Sequence, residues 1–199
     1  RAAEPLHVGV IGDSGFGESV TAKLVKQMAG EGLDFVIHTG DVVYNAGENT
    51  SPAEAFALKY FQPFAPLLHQ LPIYAVPGNH EYAQDARIDG VPYYYHVFPS
   101  LLDSGQVDPS PSERRQYYAI VYQNIQFIFL DSQVFFGEKG KTEQEEWLDQ
   151  RLQDDEFTYS VVIMHVPLFT SSIIHPKDSQ PVRQAWHDKF TGAGVPLVL

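Results

Sequence analysis

The stretch "GVIGDSGFGES", residues 9–19, runs from an apolar, strand-like segment straight into a glycine-rich turn. From Gly12 to Ser19 it fits the phosphate-loop pattern G-x-x-x-x-G-K-[ST] at every fixed position but one, because Glu18 stands where the lysine belongs. That lysine holds the β- and γ-phosphates, and a glutamate there would repel them. The glycines are better explained as letting the backbone bend tightly and leaving room beside Asp13 for an ion.

Working outward, the same arrangement recurs. Apolar runs at 6–11, 34–39, 73–77, 117–122, 125–131, 159–165 and 195–199 read as strands, with a hairpin turning at Gln123–Asn124. Those at 35–38, 126–130 and 161–164 are apolar at nearly every position, as strands covered on both faces tend to be. Helical patterns lie between them. Val20, Leu24, Val25 and Met28 share one helical face, and Ser51-Pro52-Ala53-Glu54 supplies a capping box with proline in the first turn. Thr142 and Glu145 suggest a second capping box, ahead of inward-facing Trp147, Leu148 and Leu152, with Glu143–Glu146 a solvated helix start. A fourth helix is expected over about 181–192. Residues 82–116 read as an irregular excursion over a sheet edge. Strands alternating with helices make the class α/β, and 199 residues fit one domain, 1–199.

Four strand-like segments end on residues able to bind a metal: Asp13 after Gly12, Asp41 after Gly40, Asn79 after Gly78, and His165 closing the run at 159–164. Taken singly, Gly-Asp and Gly-Asn are turns, and a histidine ending an apolar strand is a hydrogen-bonded core residue. Together they are hard to dismiss, because ligands of open α/β sheets bind outside the carboxyl ends of the strands. His38, His69, His96 and His187 read as structural or surface residues. Arg87, Arg114 and Arg115 could meet an anion, though nothing in their spacing requires it.

Composition narrows the partners. A net charge of −12 with no basic block argues against binding a nucleic-acid backbone, yet bound cations would allow an acidic protein to handle phosphate. No run is long enough to span a membrane. The absence of cysteine removes disulfides, thiolate metal sites and cysteine nucleophiles. The chain starts at Arg1 rather than methionine and shows no signal peptide, so it is read as processed or excerpted.

The ordered series GDSG, GDVVY, GNHE and VVIMHVP resembles the calcineurin-like metallophosphoesterases over nearly the whole chain. Asp13-Ser14-Gly15, where most of that superfamily has Asp-x-His, and Tyr44 three residues after Asp41 resemble the purple acid phosphatase branch. The resemblance implies a four-layer α/β/β/α sandwich of two packed mixed sheets. It implies two metal ions, Fe(III) with a divalent Fe, Zn or Mn. Asp13, Asp41 and Tyr44 would hold the first, Asp41 would bridge, and Asn79 and His165 would hold the second. His80 would act as general acid, with His80, Asn79 and His175 meeting a small-molecule phosphate ester.

The implied reaction is hydrolysis of phosphate monoesters by in-line attack of a metal-activated water. The alternatives are a phosphodiesterase using the same centre and a non-catalytic scaffold of the same fold. The family's final Gly-His-x-His motif has no counterpart before the chain ends at "GVPLVL". The domain is therefore expected to be cut short of its last metal ligands, and these residues alone to bind metal weakly or be inactive. By the same resemblance, the protein is expected to be secreted or periplasmic.

Overall fold

The computed structural model describes residues 5–17, 19–44, 50–98, 117–138, 140–173 and 175–199. Arg1, Glu18, Arg114, Arg115 and the 99–116 part of the expected excursion lie outside the described residues. The chain divides into two compact units, Arg1–Phe98 and Pro99–Leu199. All seven expected strands form, and the class is α/β.

In the first unit β1 (Val8–Ile11), β2 (Phe35–His38) and β3 (Ile73–Ala75) make a parallel sheet in that order. Val8 pairs with Phe35 and Val36 with Ile73, so all three carboxyl ends lie at one edge. β2 is buried at every position, which is why its apolar run is unbroken up to His38.

Between β1 and β2 runs α1 (Ser19–Met28). Its buried face differs from the expected one: Val25 is fully covered and Met28 packs on the core, whereas Val20 is 67% and Leu24 42% exposed. Val25, Met28 and, just past the helix end, Ala29 are what pack on the core instead.

The expected capping box opens α2 (Pro52–Phe56): Ser51 Oγ accepts from the Glu54 amide while Glu54 takes the Ser51 N–H at 3.0 Å. A wide π turn at Ala57–Phe61 leads into α3 (Gln62–Leu68). In a regular helix the Pro63 ring would crowd the Lys59 carbonyl, and the wider turn relieves that clash. Phe64 and Leu67 are fully buried beneath it, each worth about 1.5–3 kcal/mol of apolar transfer.

The described part of the 82–116 segment is more regular than expected. Short 3₁₀ turns at His80–Tyr82 and Gln84–Ala86 precede a hairpin of β4 (Arg87–Ile88) and β5 (Val91–Pro92), then α4 (Tyr94–Val97). Asp89 and Gly90, at φ 51° and 82°, turn the hairpin. An Asp-Gly pair favours that turn, but two-residue strands carry no readable alternation. Arg87 is structural here, its guanidinium donating to the Tyr82 and Gly90 carbonyls.

In the second unit, β6 (Tyr118–Tyr122) and β7 (Ile125–Phe129) form the expected antiparallel hairpin, with Gln123 at φ 56°. After a 3₁₀ turn at Ser132–Phe135 comes α5 (Lys141–Leu152). Then β8 (Tyr159–Ile163), α6 (Ser179–Gly192) and β9 (Leu197–Val198) complete the order β6-β7-β8-β9. Ile128, Leu130, Leu148, Val162 and Trp186 form its core.

The expected Thr142 cap does not form. α5 starts from Gly140 at φ 90°, with no side-chain cap, and Thr142 lies inside the first turn. Gln144 replaces it by a tertiary pairing: fully buried, it accepts from the Asp131 N–H at 2.8 Å and donates to the Asp131 carbonyl at 2.9 Å. The run 143–146 is thus not solvated throughout.

Candidate metal centre

In the first unit the ladder continues past the strands. Thr39 donates to Ile11, Asp13 to Gly40 and Val76 to His38, at 2.9–3.1 Å, so three loops leave the sheet side by side. They carry Asp13, then Asp41 and Tyr44, then Asn79 and His80. Asp13 and Asp41 sit at φ 52° and 54°. Few non-glycine residues adopt that left-handed conformation, aspartate being among the more tolerant.

A buried network stiffens the first two loops. His38 Nδ1 accepts from the Gly40 N–H at 3.3 Å, which leaves the proton on Nε2 to donate to Ser14 Oγ at 2.8 Å. His38 is therefore structural. Gly15 receives the Tyr44 N–H at 2.9 Å, and a Cβ on Gly15 would strike that same amide. Lys59, from the π turn, donates to the Tyr44 carbonyl at 2.6 Å.

Carboxylate oxygens of Asp13 and Asp41 come within 4.8 Å of each other. Asp41 is buried and Asp13 exposed. Tyr44 donates its hydroxyl to Asp13 Oδ1 at 3.0 Å. Burial first, then the charges of Asp41 and Asp13, push the Tyr44 phenol well above its ordinary value. Two carboxylates this close repel each other without a cation, and with the phenol they make a hard oxygen donor set, so these residues fit a metal ion.

Gly78 backs directly onto Asp41, and a Cβ there would collide with its carboxylate and amide. The next residues, Asn79 and His80, open the 3₁₀ turn, Asn79 exposed and His80 half-buried. His80 donates its backbone N–H to Asp41 Oδ1 at 3.1 Å, and its Nε2 lies 4.0 Å from Asp41 Oδ2. The His80 ring meets Tyr44 edge-on at 4.4 Å between centroids, and Phe16 also meets Tyr44 edge-on, at 4.6 Å.

Glu81, the last residue of GNHE, has a role that the motif alone does not reveal. It is 2% exposed and accepts four backbone amides, from Asp41, Val42, Val43 and Gly78. Burial, followed by the neighbouring Asp41 charge, raises its carboxyl, while the amide bonds, which occupy both oxygens and so favour the carboxylate, pull the other way. A glutamate directly after the catalytic-looking histidine was the only available signal.

In the second unit, half-buried His165 follows the carboxyl end of β8, as expected. Its neighbours fix it: Met164 donates to the Leu199 carbonyl at 3.0 Å and Val166 to Ser132 Oγ at 3.1 Å. His175 is exposed, its Nδ1 3.0 Å from Asp178 Oδ2.

Residues 6–193 match the family model described as calcineurin-like phosphoesterase. The chain belongs to the calcineurin-like phosphoesterase family. This calcineurin-like phosphoesterase is also similar in fold to a purple acid phosphatase from yellow lupin (Lupinus luteus) seeds, at 18% identity and a TM-score of 0.67. That alignment covers 97% of this chain and 37% of the lupin protein, so the chain spans little more than a third of that relative. A dimetal phosphatase from Danio rerio is similar at 14% identity and a TM-score of 0.55, over 98% of this chain and 80% of its own. Every candidate ligand of the phosphoesterase, from Asp13 to His165, lies within the family match.

Proposed function

We propose that this phosphoesterase hydrolyses phosphate monoesters of small molecules at a two-metal centre of the purple acid phosphatase type. The observation that carries the reading is the Asp13–Tyr44 hydrogen bond beside buried Asp41, with the phenol three residues after the carboxylate it accompanies. A phenol next to two carboxylates suits a ferric ion, and an amide oxygen with an imidazole suits a divalent partner such as Fe, Zn or Mn. Asp13, Asp41 and Tyr44 would hold the first ion, with Asp41 shared. Asn79 and His165 would contribute to the second, His165 being assigned by its strand-end position and motif. When bound, such a pair activates water for in-line attack and offsets phosphoryl charge.

The chain's own residues supply the rest. His80 is anchored through its backbone to Asp41, while its half-exposed ring is available to protonate a departing alkoxide. The Tyr44 ring packs edge-on against the imidazole. Asn79 is exposed beside it and can donate through its amide to a phosphate oxygen. His175 would meet the phosphate from its loop if its pairing with Asp178 opens.

The test compares p-nitrophenyl phosphate with bis(p-nitrophenyl) phosphate, using the full-length protein loaded with iron and zinc. Faster turnover of the monoester, lost on chelation, is expected. Preference for the diester would refute the monoesterase reading, and turnover indifferent to chelation would refute the metal centre.

A further inference from the structure

We propose that Glu81 is the positioning residue of this centre, a buried carboxylate clamp that fixes the Asp41 loop against the Asn79–His80 loop. The inference rests on the functional reading above and assigns a role that neither the motifs nor the ligand set supplies. Oε2 accepts from Asp41 at 2.9 Å and from Gly78 at 2.7 Å; Oε1 accepts from Val42 at 2.9 Å and Val43 at 3.1 Å. Three successive amides of one loop and one amide of the next thus converge on a single side chain.

The topology explains why a clamp is needed. The bond from Val76 to His38 joins these strands just before they separate into loops. Beyond it, four N–H groups with no strand partner would face the interior, and unpaired buried amides are costly. Glu81 satisfies all four at once, two per oxygen, which uses the full acceptor capacity of a carboxylate. Because one acceptor receives both Asp41 and Gly78, the two loops keep a fixed separation. The closeness of Gly78 to Asp41 and the His80–Asp41 bond depend on that spacing.

Glutamine has the same shape but only one acceptor oxygen, and its NH₂ group would oppose two N–H donors. Glu81→Gln should therefore remain folded while the loops lose register. Binding of Zn²⁺ alone, measured by titration calorimetry on the full-length protein, should weaken about 10–100-fold, as when groups that orient metal ligands are altered. Leu67→Ala, an equally buried core change away from the loops, serves as a stability control and should keep Zn²⁺ affinity within about twofold.

Amide hydrogen exchange of the unsubstituted protein provides a readout that does not require the variant to fold. Residues 41, 42, 43 and 78 should be protected with or without Zn²⁺, and in Glu81→Gln should exchange at least about tenfold faster. Unprotected amides in the unsubstituted protein, or unchanged Zn²⁺ affinity in Glu81→Gln, would overturn the clamp. If the unsubstituted protein bound no Zn²⁺ while the four amides stayed protected, the functional reading would fall and Glu81 would be reduced to a structural brace.

Discussion

Tyr44 donates its hydroxyl to Asp13 Oδ1 across 3.0 Å, joining residues from the loops after β2 and β1. That bond sets the phenol oxygen beside the carboxylate with which it would share a metal ion. Tyr44→Phe is expected to fold normally, since the aromatic contacts with Phe16 and His80 need only the ring. Loaded with iron, the parent protein should show a visible charge-transfer band, and Tyr44→Phe should show none. A band that survives the substitution would exclude Tyr44 as a ligand.

In the proposed mechanism His80 acts in the chemistry and not in metal binding. His80→Ala keeps the backbone N–H that donates to Asp41, so metal stoichiometry should be unchanged. Loss of a general acid should lower kcat by about 10²–10⁴-fold for an alkyl phosphate. The loss should be much smaller for p-nitrophenyl phosphate, whose leaving group needs no proton. Equal losses on both substrates would argue against the acid role.

Gly78 tests the close approach of the two loops. Gly78→Ala drives a methyl group into the Asp41 carboxylate and amide, and is expected to cost about 1–3 kcal/mol by overpacking. Chemical denaturation should record that loss, and calorimetry a parallel loss of metal affinity. An alanine accommodated without either effect would mean the loops are not held together as described.

The capping box predicts a pH dependence away from the centre. The Ser51 backbone bond, then its hydroxyl, lower the Glu54 carboxyl below 4.5. A carboxyl lowered on folding favours the fold above its unfolded value, and that benefit fades as pH falls through its folded value. Glu54→Gln should therefore melt slightly earlier than the parent at pH 7, with the gap closing towards pH 3. A gap that widens on acidification would show that Glu54 acts in some other way.

Much of this was legible in the sequence because apolar runs mark covered strands and glycine marks a sharp exit from them. That is why all seven expected strands form and why Asp13, Asp41, Asn79 and His165 follow strand ends. What depends on tertiary pairing was not legible. Thr142 was a plausible cap by local chemistry, but Gln144 gripping Asp131 sets the start of α5. α1 packs Val25 and Met28 on the core and leaves Val20 and Leu24 exposed, a choice among apolar positions that its periodicity alone does not make. Likewise the work of Glu81 exists only once amides distant in sequence lie beside it, and no periodicity announces that.

The most direct test of the central claim, that these strand-end loops hold a pair of metal ions around Asp41, is metal stoichiometry by plasma emission. Full-length protein and its Asp41→Asn variant would be stripped with chelator, reloaded with iron and zinc, and desalted. The account predicts two metal ions per chain in the parent and a loss of at least one in Asp41→Asn. A parent that retains none, or a variant that retains as many as the parent, would contradict it.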